Sequence, residues 1–459
     1  MELLQVDPAL LQRYDRPGPR YTSYPTAVEF HEGFRAADYA ARLGNLDPSR
    51  GLSLYLHLPF CEHRCSFCGC HVVITRKREV AGRYLDYLGR ELELVSAHLD
   101  SPPQVVQYHW GGGTPTYYDP DQIRRLHSLV QSHFTIAPGA ERAIEVDPRV
   151  TTPQHIDALV EAGFNRLSMG VQDFTPRVQQ AIGRNQDEAS TRALYAYCRQ
   201  RGFESINIDL IYGLPLQTPE GFERNLQAVI ELRPERVALY SYAHVPWIKG
   251  HQKYIQVELL PPREEKFALL LQAIHAFGQA GYQQIGMDHF ALPADELSRA
   301  LDRRRLHRNF MGYTVQRTPQ MIGLGISSIG FLGRAYVQNH KKLRTYYQAL
   351  DQGVLPVERG YALSPDDRVR RYVITELMCN LFLDIPEVEG LFGICFAEYF
   401  ARELAELEAG PAVDGLVRLE EDQIEVTELG QLFIRNIAMP FDRHLREKPR
   451  ARPTFSRTV

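Results

Sequence analysis

The sequence predicts an α/β protein built on a partial (β/α)6 barrel, and three observations predict it. Short apolar, β-branched or aromatic runs recur along the chain. Amphipathic segments, with apolar residues at three- and four-residue steps, separate them. Reactive or flexible residues gather just after the runs. Strands are expected at LSLYLHL (52–58), VVQYHW (105–110), AIEVD (143–147), RLSMGV (166–171), SINIDLIYG (205–213) and VALYSYA (237–243), with YQQIGM (282–287) as an extension. Helical stretches such as YLDYLGRELELVSAHL and PQHIDALVEAGF fall between them. Strand and helix in alternation imply parallel pairing with right-handed crossovers. In such barrels the loops after the strands build the active site.

Three regions follow. Residues 1–50 form a Pro- and Tyr-bearing arm, expected to cover a substrate. Residues 51–345 hold the barrel and its extension. Residues 362–459 turn helical and then read DGLVRLEEDQIEVTELGQLFIRNIA, a hairpin followed by a helix as in a winged-helix domain. That region carries no basic stripe, so a helical cap is expected rather than a nucleic-acid module.

Composition narrows the class. Lys and Arg number 52 against 56 Asp and Glu, a net charge of −4, which argues against nucleic acid or an anionic membrane as partner. No stretch approaches the ~20 apolar residues of a membrane span. The N-terminus lacks the pattern of a signal peptide. The seven cysteines are odd in number and clustered, unlike an extracellular disulfide framework. A soluble, cytoplasmic protein, a monomer, is expected.

CEHRCSFCGC (61–70) concentrates four of those seven cysteines in ten residues. Cys61, Cys65 and Cys68 are spaced C-x3-C-x2-C, and Cys70 follows. Structural zinc takes four ligands, commonly as two separated pairs, and no second pair stands at such a spacing. Three thiolates from one tight loop suit a [4Fe–4S] cluster with one iron left open to a small molecule. Zinc or inert thiols are the alternative.

This loop, placed after the first strand of an α/β barrel, resembles the radical S-adenosylmethionine (SAM) superfamily. There the open iron chelates SAM, and an electron from the cluster cleaves it to methionine and a 5′-deoxyadenosyl radical. WGGGTPT (110–116) resembles that superfamily's methionine-binding motif, and glycines allow close backbone approach to a ligand. GPRYTSYPTA (18–27), YLHLPFCEHRCSFCGC (55–70), FNRLSMGVQDF (164–174), INIDLIYGLP (206–215), GMDHFA (286–291) and LHRNFMGYT (306–314) together resemble the oxygen-independent coproporphyrinogen III oxidase family, across almost the whole chain. The resemblance implies oxidative decarboxylation of two propionates of coproporphyrinogen III to vinyls, giving protoporphyrinogen IX in haem biosynthesis. It also implies a reducing electron donor and an unidentified acceptor. Haem chaperones on the same scaffold share the cysteine motif but are not expected to carry the YTSYPTA arm or the extra cysteine. A related haem-modifying radical SAM enzyme is the other alternative.

The resemblance assigns roles residue by residue. Cys61, Cys65 and Cys68 ligate the cluster, while Cys70 is linked to activity rather than ligation; a packed structural thiol is its other reading. Tyr55, Phe67 and Gly112 flank the cluster and SAM. Glu145 and Asp209 are strand-end carboxylates among apolar residues, where an unpaired charge is costly, and both are read as SAM contacts. Gly113, Thr114, Gln172, Arg184 and Ala243 match positions that hold a second SAM. Ile329 matches a residue between cofactor and substrate. An apolar macrocycle with four propionates needs arginines and aromatics together, so Arg20, Tyr21, Tyr24, Arg308, Phe310 and Met311 are the substrate-binding candidates. Met311 departs from the family, which more typically has glutamine there.

Overall fold

A computed structural model describes residues 6–447 and 454–458; the outermost residues of the arm and of the C-terminal region lie outside them. The main sheet has twelve strands. Six are the expected barrel strands: β1 (Leu52–Leu58), β2 (Val105–Gly112), β3 (Ile136–Val146), β4 (Arg166–Gln172), β5 (Ser205–Tyr212) and β6 (Arg236–Ser241). All pair in parallel, in chain order. Leucines 52, 54, 56 and 58 are fully buried, as expected of a parallel strand covered on both faces.

Helices between the strands start where local chemistry starts them. Pro120–Gln131 opens with a reciprocal Asp119/Gln122 cap and a proline in its first turn, and Pro219–Leu232 opens with Thr218 capping the Gly221 amide.

The sheet continues past the expected strands at both ends. The YQQIGM run supplies β7 (Gln283–Ile285), which joins the sheet through the antiparallel β8 (His289–Ala291). A hairpin of β9 (His307–Asn309) and β10 (Gly312–Thr314) stands apart from the sheet. On the far side of β1 lies β11 (Gln320–Leu324), a seventh parallel strand that the periodicity had not suggested. Three antiparallel strands extend from it: β12 (Ile329–Leu332), β13 (Ala335–Asn339) and β14 (Val357–Ala362).

Register sets the working end. Leu58 is level with Gly112, Glu145 with Ser168, and Gly170 with Asp209. Residues far apart in the chain therefore meet at one rim.

The C-terminal region begins with the helix Pro365–Asn380, capped by Ser364 and Asp367. A three-stranded antiparallel sheet follows, in the order Phe382–Asp384, Gln423–Val426, Val417–Leu419, and includes the expected hairpin. The arm divides between two cores. Phe34, Tyr39 and Leu43 pack into the barrel core, whereas Leu11, Tyr14, Tyr21 and Tyr24 pack with Val373, Leu377, Phe400 and Phe433 of the C-terminal region. No helix among the described residues is long and apolar enough to cross a membrane.

Candidate active site

A hollow of about 150 Å³ opens at the C-terminal rim of the parallel strands. Cys61, Cys65 and Cys68 line it together with Phe67, Gly112, Gly113, Thr114, Glu145, Gln172, Arg184 and Asp209. Among the described residues, no three His, Cys, Asp or Glu side chains could hold one metal ion.

Each thiol has a polar neighbour. Thr114 Oγ1 lies 3.3 Å from Cys61 Sγ. Arg149 Nη2 and Arg184 Nη1 donate to Cys65 Sγ at 3.5 and 3.7 Å. Cys68 is hydrogen-bonded to Cys70; that bond lowers the Cys68 thiol and pushes the Cys70 thiol up. Burial pushes the Cys61 thiol up to about 11. Hydrogen bonds to sulfur tune an iron–sulfur cluster, and three cysteines of one loop around this hollow fit a [4Fe–4S] cluster on Cys61, Cys65 and Cys68.

The two arginines are themselves held by Asp147, at 2.6 Å from Arg149 and 3.2 Å from Arg184. Burial raises the Asp147 carboxyl, but the two guanidiniums outweigh it and keep it below the usual range. Arg149 was not singled out by sequence. DPR at a strand end is the only local signal, and it does not reveal which sulfur the arginine meets.

The glycine run is packed tightly. A Cβ on Gly113 would lie 2.6 Å from the Pro59 backbone, and Gly112 has φ +121° with His57 at its face. The Gly112 amide donates to Glu145 Oε2 at 3.1 Å, and His109 Nε2 lies 3.5 Å from Oε1. Burial raises the Glu145 carboxyl, yet these two bonds hold it below its ordinary value. Asp209 goes the other way. Burial and the nearby Glu145 charge lift it to about 7, despite bonds from Ser168 and Asn207. The hollow therefore sets Asp209, pushed toward its protonated form, beside Glu145 and Asp147, both held toward their ionised forms. Arg184 Nε is buried there without a partner, a donor left for a polar ligand such as SAM.

Known proteins match this arrangement. A profile described as the radical SAM superfamily covers residues 55–229, and one described as the HemN C-terminal domain covers 363–433. The oxygen-independent coproporphyrinogen III oxidase of Escherichia coli (strain K12) is 48% identical over 459 residues, all of both chains. This chain belongs to that family. The Salmonella typhimurium oxidase is likewise 48% identical, over 99% of this chain and 98% of the relative. The solved coproporphyrinogen III oxidase (HemN) from Escherichia coli, described as a radical SAM enzyme, superposes with a TM-score of 0.92 at 45% identity, over 97% of this chain and 100% of the other. Membership in the coproporphyrinogen oxidase family implies a [4Fe–4S] cluster and SAM.

The remaining residues that suggested this oxidase family fall into three groups. Tyr55 sits behind the hollow: its ring stacks on His109 at 5.8 Å and its hydroxyl lies 3.1 Å from His57 Nδ1. Met311 lines a second hollow of about 130 Å³ inside the barrel, which shares Glu145, Ser168 and Asp209 with the first. Ile329 packs with Phe310 and Met311 against Met321, Phe331 and Tyr336.

Tyr21, Tyr24, Arg308 and Phe310 line a small third cavity with Arg371 and Tyr336. The two tyrosine hydroxyls are already committed elsewhere: Tyr21 donates to Asp442 at 3.0 Å, and Tyr24 accepts from the Arg443 amide at 3.2 Å. Arg20 and Arg308 approach one carboxylate, Asp288, at 3.8 and 3.5 Å. Ala243 lines a separate hollow of about 610 Å³ between the barrel rim, the arm and residues 455–457, apart from the cysteines.

Proposed function

We propose that this chain is an oxygen-independent coproporphyrinogen III oxidase, which converts two propionates of coproporphyrinogen III to vinyls and yields protoporphyrinogen IX. The observation that carries this reading is the cysteine triad. Three thiols of one loop share one hollow with the glycine run and Glu145, Cys61 beside Thr114 and Cys65 beside two arginines, in a chain that matches its relatives end to end.

Cys61, Cys65 and Cys68 hold the cluster. When bound, the cluster and SAM together supply a 5′-deoxyadenosyl radical that takes a hydrogen atom from the substrate. Glu145, held by His109 and Gly112, meets the polar groups of SAM, with Tyr55 behind it and Phe67 covering the loop. Asp209 meets SAM as Glu145 does, and Gly113, Thr114, Gln172 and Arg184 border space for a second SAM; Ala243, matched to the same role, opens on the separate hollow instead. Ile329, Phe310 and Met311 form an apolar wall for the macrocycle, and Arg20 and Arg308 meet its propionates. Cys70 acts beside the cluster, not as a ligand.

For each propionate, the carbon next to the ring loses a hydrogen atom, carbon dioxide leaves, and one electron passes to an acceptor. The propionate anion then balances to vinyl, carbon dioxide, a hydrogen atom and an electron. Cover from the arm and C-terminal region keeps water away from the radical. The enzyme works in the cytoplasm as a monomer and draws on a separate electron donor.

The test is anaerobic incubation of reconstituted protein with coproporphyrinogen III, SAM and a reductant, followed by product mass analysis. Loss of two carboxyl groups per macrocycle is expected. Methylated or unchanged porphyrin sinks the reading.

A further inference from the structure

The cysteine loop is roofed by a single segment. His251 Nε2 donates to the Cys68 carbonyl at 2.9 Å, Gln252 to that of Phe67 at 3.2 Å and Lys249 to that of Cys70 at 3.3 Å. The outer surface of this roof is unusual for the protein. Nine large hydrophobic side chains are exposed among the described residues, and four of them, Ile74, Ile248, Tyr254 and Val257, lie on the roof segment or on the loop beneath it. Tyr254, at 84%, is the most exposed of all nine. Clustered exposed apolar groups mark interaction sites, whereas scattered ones need no explanation.

The charges around this patch have one predominant sign. Arg64 reaches the His251 ring and the Val72 carbonyl, Arg76 reaches the His63 ring, and Lys249 reaches a carbonyl. With Lys77 and Lys253 they make five cations, none in a described ion pair; of the neighbouring acids, Glu62 is taken by Arg78 and Glu258 stands exposed beside Val257. The whole chain carries −4, so this basic face does not follow from composition.

We propose that this face docks an acidic protein carrying a low-potential one-electron group, which delivers the electron to the cysteine loop. The inference rests on the cluster reading above. A basic rim around an aromatic centre complements an acidic carrier and speeds its encounter. Electron-transfer encounters need only a small interface, below ~1,200 Å², which a patch of this kind supplies. The three roof-to-loop hydrogen bonds tie this segment to the ligand-bearing backbone. In the step itself, one electron leaves the reduced carrier and enters the cluster, and the oxidised carrier departs.

The experiment compares two reductants on the reconstituted holoprotein: a flavodoxin hydroquinone and titanium(III) citrate. Bleaching of the cluster absorbance is followed by stopped flow for the parent and for the double variant Lys253→Glu with Tyr254→Ser. Both side chains face solvent. The flavodoxin rate is expected to fall about tenfold or more and to lose much of its salt dependence, with the titanium rate unchanged. A flavodoxin rate within about twofold of the parent, or equal losses with both reductants, overturns the docking face. Failure of titanium to reduce any cluster in the parent overturns the functional reading instead.

Discussion

The Gly112 amide donates to Glu145 Oε2 across 3.1 Å. That bond joins the glycine run at the end of β2 to the carboxylate at the end of β3, and it orients the carboxylate into the hollow beside the cysteines. Replacing Glu145 with Gln keeps the shape but removes the charge that His109 and Gly112 stabilise. Hydrogen bonds to charged groups contribute about 1.5–3 kcal/mol, so SAM affinity is expected to fall by about 10- to 100-fold. Iron content should stay at the parent level. Equilibrium binding of SAM to the reconstituted variant checks this, and unchanged affinity removes Glu145 from the SAM site.

Replacing Cys61, Cys65 or Cys68 with Ala should abolish the cluster's visible absorbance and the expected four irons or so per chain. Cys70→Ala should retain both while losing most decarboxylation. A full cluster in Cys65→Ala together with loss in Cys70→Ala would reverse the ligand assignment.

Two glycines near the cluster should behave in opposite ways. A methyl on Gly113 meets the Pro59 carbonyl carbon and oxygen at 2.6 Å, and backbone cannot step aside. Gly113→Ala is therefore expected to cost about 1–3 kcal/mol and to disturb the cysteine loop, whereas Gly69, which meets nothing within 4 Å, should accept Ala. Urea unfolding and iron content of both variants test the contrast.

Asp209 makes stability depend on pH. Its carboxyl rises from 3.8 to about 7 in the folded protein, so the folded state binds more protons than the unfolded one between those values. Its contribution is fully present below about pH 4 and is lost as the pH rises through about 7, by at most about 1.4 kcal/mol per pH unit. Asp209→Asn should flatten that slope in protein without SAM. Equal slopes for parent and variant, from urea unfolding at a series of pH values, would show that Asp209 titrates normally.

The arm is part of the C-terminal core, not a loose strap. Tyr21→Phe removes the hydroxyl that donates to the buried Asp442, at an expected cost of about 1–3 kcal/mol. Denaturant unfolding should show this loss with the cluster absorbance intact. Parent-like stability would mean that water replaces the lost donor.

The alternation of strand and helix was legible because each parallel strand is a local apolar run and each crossover helix a local amphipathic one. The cysteine spacing, the glycine run and the strand-end position of Glu145 and Asp209 were legible for the same reason. Tertiary structure alone decided the rest. Gln320–Leu324 reads as a broken, glycine-bearing run, yet it becomes the parallel neighbour of β1, from which it is separated by more than half the chain. No local pattern announces a partner so distant. Arg149, Arg184 and Asp147 lie on different segments from Cys65, and only the sheet register carries them to its sulfur. Tyr21 and Tyr24 looked suited to a macrocycle, but their hydroxyls turn into the C-terminal region. Periodicity records which face of a segment is buried; which other segment buries it is settled by packing between residues remote in the chain.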